Sequence, residues 1–111
     1  MTEINGIVVI YEVIFCLLKL MYEKILNHIE GRVQGVGCRF FVAQLAKQYN
    51  LSGFVGNLDN GNVKMEVQGS NEHLDAFFKD LMKGNSRMRI DDYTIKVIPI
   101  ICDEQHFTYL N

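Results

Sequence analysis

Residues 24–49 read Lys24-Ile-Leu-Asn-His-Ile-Glu-Gly-Arg-Val33, then Gln34-Gly-Val-Gly-Cys-Arg39, then Phe40-Phe-Val-Ala-Gln-Leu-Ala-Lys-Gln-Tyr49. The hydrophobic period changes along this stretch, and the change decides the fold. Ile25, Ile29 and Val33 are an even number of residues apart, so a strand over 24–33 puts them on one face. Val42, Leu45, Ala46 and Tyr49 recur at i, i+3, i+4, i+7, which predicts a helix over about 39–50 with those residues on its buried side. Three glycines fall at the change or just before it, and no long linker separates strand from helix.

The same logic extends along the chain. Leu51 to Asn57 reads as a second strand. Asp59-Asn60-Gly61 is a hairpin signal, because Asn-Gly tolerates the positive φ angles of tight turns. Val63, Met65 and Val67 alternate with Lys64, Glu66 and Gln68, which marks a strand buried on one side. Ser70 is a good N-cap and Glu72 suits the first turn of a helix. Leu74, Phe77, Phe78, Leu81 and Met82 form its apolar stripe, and Gly84 ends it. Residues 90–101 suit a strand, and Phe107-Thr-Tyr109 a short edge strand. The order β-α-β-β-α-β, with an optional fifth strand, predicts an α+β fold. Two helices cover one face of a mainly antiparallel sheet, the ferredoxin-like arrangement.

Composition bounds the rest. With 111 residues the chain has room for one core. Eleven Lys and Arg against 13 Asp and Glu give a net charge of −2, so no basic surface points to nucleic acid. Few aromatics fall on the expected strands, which argues against an RNA-binding sheet. Of the first 20 residues 14 are apolar, so the chain divides into a leader, residues 1–20, and a domain, residues 21–111. Glu12 interrupts the leader and Lys19 closes it, which leaves it short of a membrane span. Glu3 and the lack of any early Lys or Arg argue against a secretory signal. The leader reads either as an added strand or interface segment, or as residues outside the natural product.

Cys16, Cys38 and Cys102 are odd in number and widely spaced, which fits neither a disulfide framework nor a structural zinc site. A reduced, cytoplasmic setting follows. The pairing of Cys102 with His106 is too small a cluster for a metal site, and no metal or cofactor is expected.

The chemistry is expected in Gly31-Arg-Val-Gln-Gly-Val-Gly-Cys-Arg39. Glycines let backbone N–H groups converge, and the first N–H groups of the following helix are unpaired and favour an anion. Arg39 adds a permanently charged planar fork matched to phosphoryl oxygens. The GxxxxGK[ST] nucleotide loop is absent, and Gly35-Val-Gly37 lacks the third glycine of the dinucleotide fingerprint. On these grounds alone, a plain glycine turn beside a solvated arginine remains an equal alternative.

This stretch resembles the signature of the acylphosphatases, G-x-V-Q-G-V-x-F-R. A second family element, N-x-x-x-G-x-V, is matched by Asn57-Leu-Asp-Asn-Gly-Asn-Val63. Arg87-Met-Arg-Ile-Asp91 and Phe107-Thr-Tyr109 are weaker echoes of the family's last strands, so the resemblance spans residues 21–111. It implies a monomeric hydrolase that converts a small acyl phosphate to a carboxylate and inorganic phosphate. Arg39 and the loop Gln34, Gly35, Val36, Gly37, Cys38 and Arg39 would bind the phosphoryl group, or inorganic phosphate itself, and Asn57 would orient water. No cofactor, metal, nucleic acid or membrane enters that reaction. Cys38 stands where the family usually has phenylalanine, Gly56 where a longer side chain often precedes the asparagine, and the turn before Ile90 lacks the usual prolines. Cys38 has two readings, a thiol activated at a helix start or a buried filler. A phosphate sensor that kept the cradle without turnover is the competing function.

Overall fold

The structure is a computed structural model that describes residues 21–35 and 37–110, together with Ile10, Val13 and Ile14. The leader's other residues and Val36 lie outside the described residues. At Ile10, Val13 and Ile14 the backbone is helical and the side chains are exposed, so at these positions the leader is not a strand.

The elements are β1 (Tyr22–Arg32), α1 (Cys38–Gln48), β2 (Ser52–Asn57), β3 (Val63–Ser70), α2 (Asn71–Lys83), β4 (Arg89–Ile98) and β5 (Phe107–Tyr109). They form one five-stranded sheet in the order β4-β1-β3-β2-β5. Neighbours are antiparallel except β5, which runs parallel to β2. This is the expected α+β, ferredoxin-like sandwich, with the optional strand present as β5.

Both helices pack on one face. Ile25, Ile29, Val55, Val63, Met65 and Val67 rise from the sheet to meet Val42, Leu45 and Ala46 of α1 and Leu74, Phe77 and Leu81 of α2. The alternation in β3 predicted its inner face, and Val63, Met65 and Val67 are fully buried. Two members of the predicted α2 stripe depart from it. Phe78 is half-buried, and Met82 is exposed. Successive helix residues turn by about 100°, so a line centred on Leu74, Phe77 and Leu81 leaves Met82 on the flank.

The opposite face of the sheet is crossed by residues 99–106. The predicted strand over 90–101 stops at Ile98, because Pro99 has no N–H to continue a ladder. Instead Ile101 exchanges two 2.8 Å hydrogen bonds with the Gln68 side chain. Glu104 accepts from Lys24 Nζ at 2.8 and 3.0 Å and from Ser52 Oγ at 2.8 Å. Lys24 is only 1% exposed, so its charge depends on that carboxylate. The chain beyond this crossing enters β5, where Gly53 N–H donates to His106 O and Leu110 N–H to Val55 O.

Candidate functional site

β1 and β2 are both antiparallel to β3, so they run parallel to each other and end on the same side of the molecule. Ile29, Val63 and Asn57 lie in one row across the sheet. Two strand spacings, about 10 Å, therefore separate the last turns of β1 and β2. The glycine loop leaves the first strand end, and Asn57 closes the second.

Gly35 and Gly37 have φ of 74° and 80°, conformations that L side chains rarely adopt. Gly37 is the N-cap of α1. It brings no side-chain cap, and no acidic residue stands in the first turn. The opening N–H groups of α1 thus keep their appetite for an anion. A Cβ at either glycine would meet nothing within 4 Å, so backbone conformation alone requires glycine here.

Gln34 does something the sequence did not reveal. Its Nε2 donates to Leu58 O at 2.6 Å and to Asn62 O at 2.7 Å. The side-chain amide therefore fastens the loop to the hairpin that follows Asn57. Among the candidate loop residues, Gln34 offers a ligand only its backbone. A single polar residue with partners 24 and 28 positions away carries no local signal of this role.

Arg39 sits in the first turn of α1. Its Nη1 donates to Leu110 O at 2.6 Å, and its guanidinium carbon lies 4.7 Å from the centre of the Tyr109 ring. The C-terminal strand thus holds the guanidinium on one side. Leu110 is bonded in turn to Val55, two residues before Asn57. Both the start and the end of the loop are therefore tied to the strand that carries Asn57. Tyr109 and Leu110 complete this arrangement, although sequence reading gave them only an edge-strand role.

Asn57 Oδ1 is buried without a hydrogen-bond partner, a property it shares among the described residues with Asn27 Oδ1. Buried acceptors of this kind are rare. Cys38 is 1% exposed and belongs to the hydrophobic core. Burial pushes its thiol up to about 11, against a smaller downward pull from Arg39. At neutral pH it is a protonated core residue, so the buried-filler reading holds and the activated-thiol reading does not. No group of three or more His, Cys, Asp or Glu capable of holding a metal occurs among the described residues, and no described helix is long and apolar enough to cross a membrane.

The sequence profile of the family described as Acylphosphatase matches residues 26–109. The chain belongs to the acylphosphatase family. It is 38% identical over 87 residues to the acylphosphatase of Clostridium acetobutylicum, a match that covers 78% of this chain and 96% of that protein. The crystal structure of acylphosphatase from Bacillus subtilis superposes with a TM-score of 0.74 at 27% identity, over 82% of this chain and 99% of the other. T. kodakarensis HypF gives a TM-score of 0.71 at 35% identity over 79% of this chain but 12% of its own. The acylphosphatase fold thus occurs both as a small protein and within a far longer one. Membership makes this chain a hydrolase of that family and agrees with the resemblance drawn from the signature loop.

Proposed function

We propose that this acylphosphatase hydrolyses small acyl phosphates, with Arg39 and the backbone N–H groups of residues 34–39 holding the phosphoryl group and Asn57 orienting the attacking water. The observation that carries the proposal is the uncapped, glycine-lined start of α1, fastened by Gln34 to the hairpin beside Asn57. The water oxygen forms the new bond to phosphorus while the bond to the acyl oxygen breaks. Its electron pair leaves with the carboxylate. Asn57 Oδ1 accepts one hydrogen of the water and so aims a lone pair at phosphorus; the proton released goes to product phosphate and solvent. A carboxylate leaving group has a pKa of about 4, so no general acid is needed. Charge on the equatorial oxygens is met by the guanidinium and the amides, a step written without a metal. Cys38 and Cys102 are free thiols, which supports a reduced, cytoplasmic setting, and the net charge of −2 supports a reaction apart from nucleic acid and membrane.

The test is hydrolysis of acetyl phosphate and benzoyl phosphate by the full chain in the presence of a chelator. Arg39→Ala is expected to lower kcat/KM by about 10²–10³-fold, the scale seen when one transition-state donor is removed, and to weaken inhibition by inorganic phosphate. Asn57→Ala is expected to lower kcat to a similar degree while phosphate inhibition persists. Full activity in both variants overturns the residue roles. Phosphate binding without turnover in the parent chain overturns the enzymatic reading in favour of a sensor.

A further inference from the structure

The sheet has one covered edge and one bare edge. β4 is the bare one, and every residue from Asp91 to Val97 is exposed. Tyr93, Ile95 and Val97 pair with Ile29, Asn27 and Ile25, so they stand on the helix-covered face. The β1 residues are buried at 1%, 1% and 7%, yet their β4 partners are 43%, 53% and 63% exposed. The apolar face therefore continues one strand beyond its cover.

The backbone of β4 is equally available. Thr94 O accepts from Asn27 Nδ2 of β1, whereas Tyr93 N–H is turned away from β1 and donates to the carboxylate of its neighbour Asp92 at 2.8 Å. Strand alternation then directs the N–H and C=O groups of residues 93, 95 and 97 outward. An exposed ladder of this kind is a template for another strand.

We propose that β4 is the docking surface for a second copy of this chain, pairing antiparallel with its own counterpart about a two-fold axis at Thr94. The charge pattern selects both the occupant and the register. For inner-face residues to meet inner-face residues, the axis must fall on a residue or shift by whole residues. With the axis at Thr94, Tyr93 of each copy faces Ile95 of the other, and Asp92 faces Lys96 on the opposite face. Each pair occurs twice by symmetry. An axis one residue to either side sets Asp92 and Lys96 against uncharged residues. Aromatic with β-branched pairs and opposite charges are favourable cross-strand neighbours. The expectation of a monomer, drawn from the family resemblance, is replaced by this dimer.

Sedimentation velocity of the full chain over a micromolar concentration series tests the interface. The parent is expected to dimerise. Asp92→Lys, which sets like charges opposite one another, is expected to weaken the dimer at least about tenfold. The double charge swap Asp92→Lys with Lys96→Asp is expected to recover the parent affinity within about threefold. Ile95→Pro removes an outward N–H but no bond to β1, and is expected to give a monomer with parental kcat/KM and a cooperative thermal transition. A parent that stays monomeric overturns the proposal, and amide exchange then identifies the cover: protected β4 amides assign it to residues 7–18 of the same chain, and fast exchange leaves the strand bare. Dimerisation indifferent to Asp92→Lys, or not restored by the swap, overturns the register and the proposal with it.

Discussion

The two helices of this sandwich begin in opposite ways. α2 follows Ser70, whose extended backbone and hydroxyl make a complete cap: the side chain accepts from His73 N–H at 3.2 Å, and Glu72 stands in the first turn. α1 follows Gly37, which is left-handed and has no side chain to offer, and no acid stands in its first turn. Its first turn carries Arg39 instead, a cation at the positive end of the helix dipole. That choice disfavours the isolated helix by a few tenths of a kcal/mol to about 1 kcal/mol. α2 is built to close on itself. The start of α1 makes physical sense only if an external anion supplies the missing negative charge. Helix starts in one small fold can therefore be sorted into structural and ligand-binding by asking which one forgoes its cap.

Closing the open helix is the strongest way to break this contrast. Gly37→Asp supplies a carboxylate at the N-cap, and aspartate tolerates left-handed backbone better than most residues. Inhibition by inorganic phosphate and kcat/KM are both expected to fall by about 100-fold or more, because a fixed carboxylate and a phosphoryl dianion compete for the same N–H groups. Unchanged phosphate inhibition would show that the start of α1 is not the anion site. The next effect in size concerns the tie between the loop and Asn57. Gln34→Ala removes two hydrogen bonds and leaves the Leu58 and Asn62 carbonyls without that donor. A loss of about 1–3 kcal/mol in stability is expected, together with about a tenfold fall in kcat as Asn57 loses its register with the loop. Denaturant unfolding and steady-state kinetics on one preparation check both.

Much of this contrast is legible in the sequence, for a physical reason. Caps, glycine turns and strand alternation are local, so Ser70, the Asn60-Gly61 hairpin, the alternation at Val63, Met65 and Val67, and the loop before Arg39 all announce themselves within a few residues. What escaped the sequence reading depends on partners far along the chain. Lys24 looks like a surface residue beside Ile25 until Glu104 arrives from 80 positions away. Gln34 looks like a loop donor to ligand until the hairpin takes both its hydrogens. Met82 looks like part of a stripe, but whether a flanking position is covered depends on the neighbouring strand, and β4 leaves that flank open. Arg39 was legible as an anion ligand; its seat on Tyr109 and Leu110 was not, because a three-residue edge strand says little about what it touches.

Cys38 offers a gentler test at the same helix start. Its folded-state value of about 11 lies above the ordinary 9.0. A group raised in the folded state contributes its full stability below the unfolded value and loses it as pH rises towards the folded value. Stability is therefore expected to decline between about pH 9 and pH 11, and less steeply in Cys38→Ala. At neutral pH, thiol reagents are expected to modify the exposed Cys102 rapidly and Cys38 only on unfolding. Fast modification of Cys38 in the native protein would restore the activated-thiol reading.

The smallest expected effect is also the control for the whole comparison. Ser70→Ala removes one hydroxyl and the 3.2 Å bond to His73 N–H. Loss of an N-cap of this kind costs about 1 kcal/mol, which lowers Tm by about 4–8 °C in a domain of this size. Neither kcat/KM nor phosphate inhibition is expected to change, because Ser70 ends β3 at the opposite extremity from Val63, the strand neighbour of Asn57. The paired result with Gly37→Asp is what separates the two helices. Editing the cap of α2 moves stability and spares activity, whereas adding a cap to α1 removes anion binding whatever it does to stability. If Ser70→Ala instead weakens phosphate inhibition as Gly37→Asp does, the two helix starts are not distinct in function, and the missing cap of α1 is a local defect rather than a binding site.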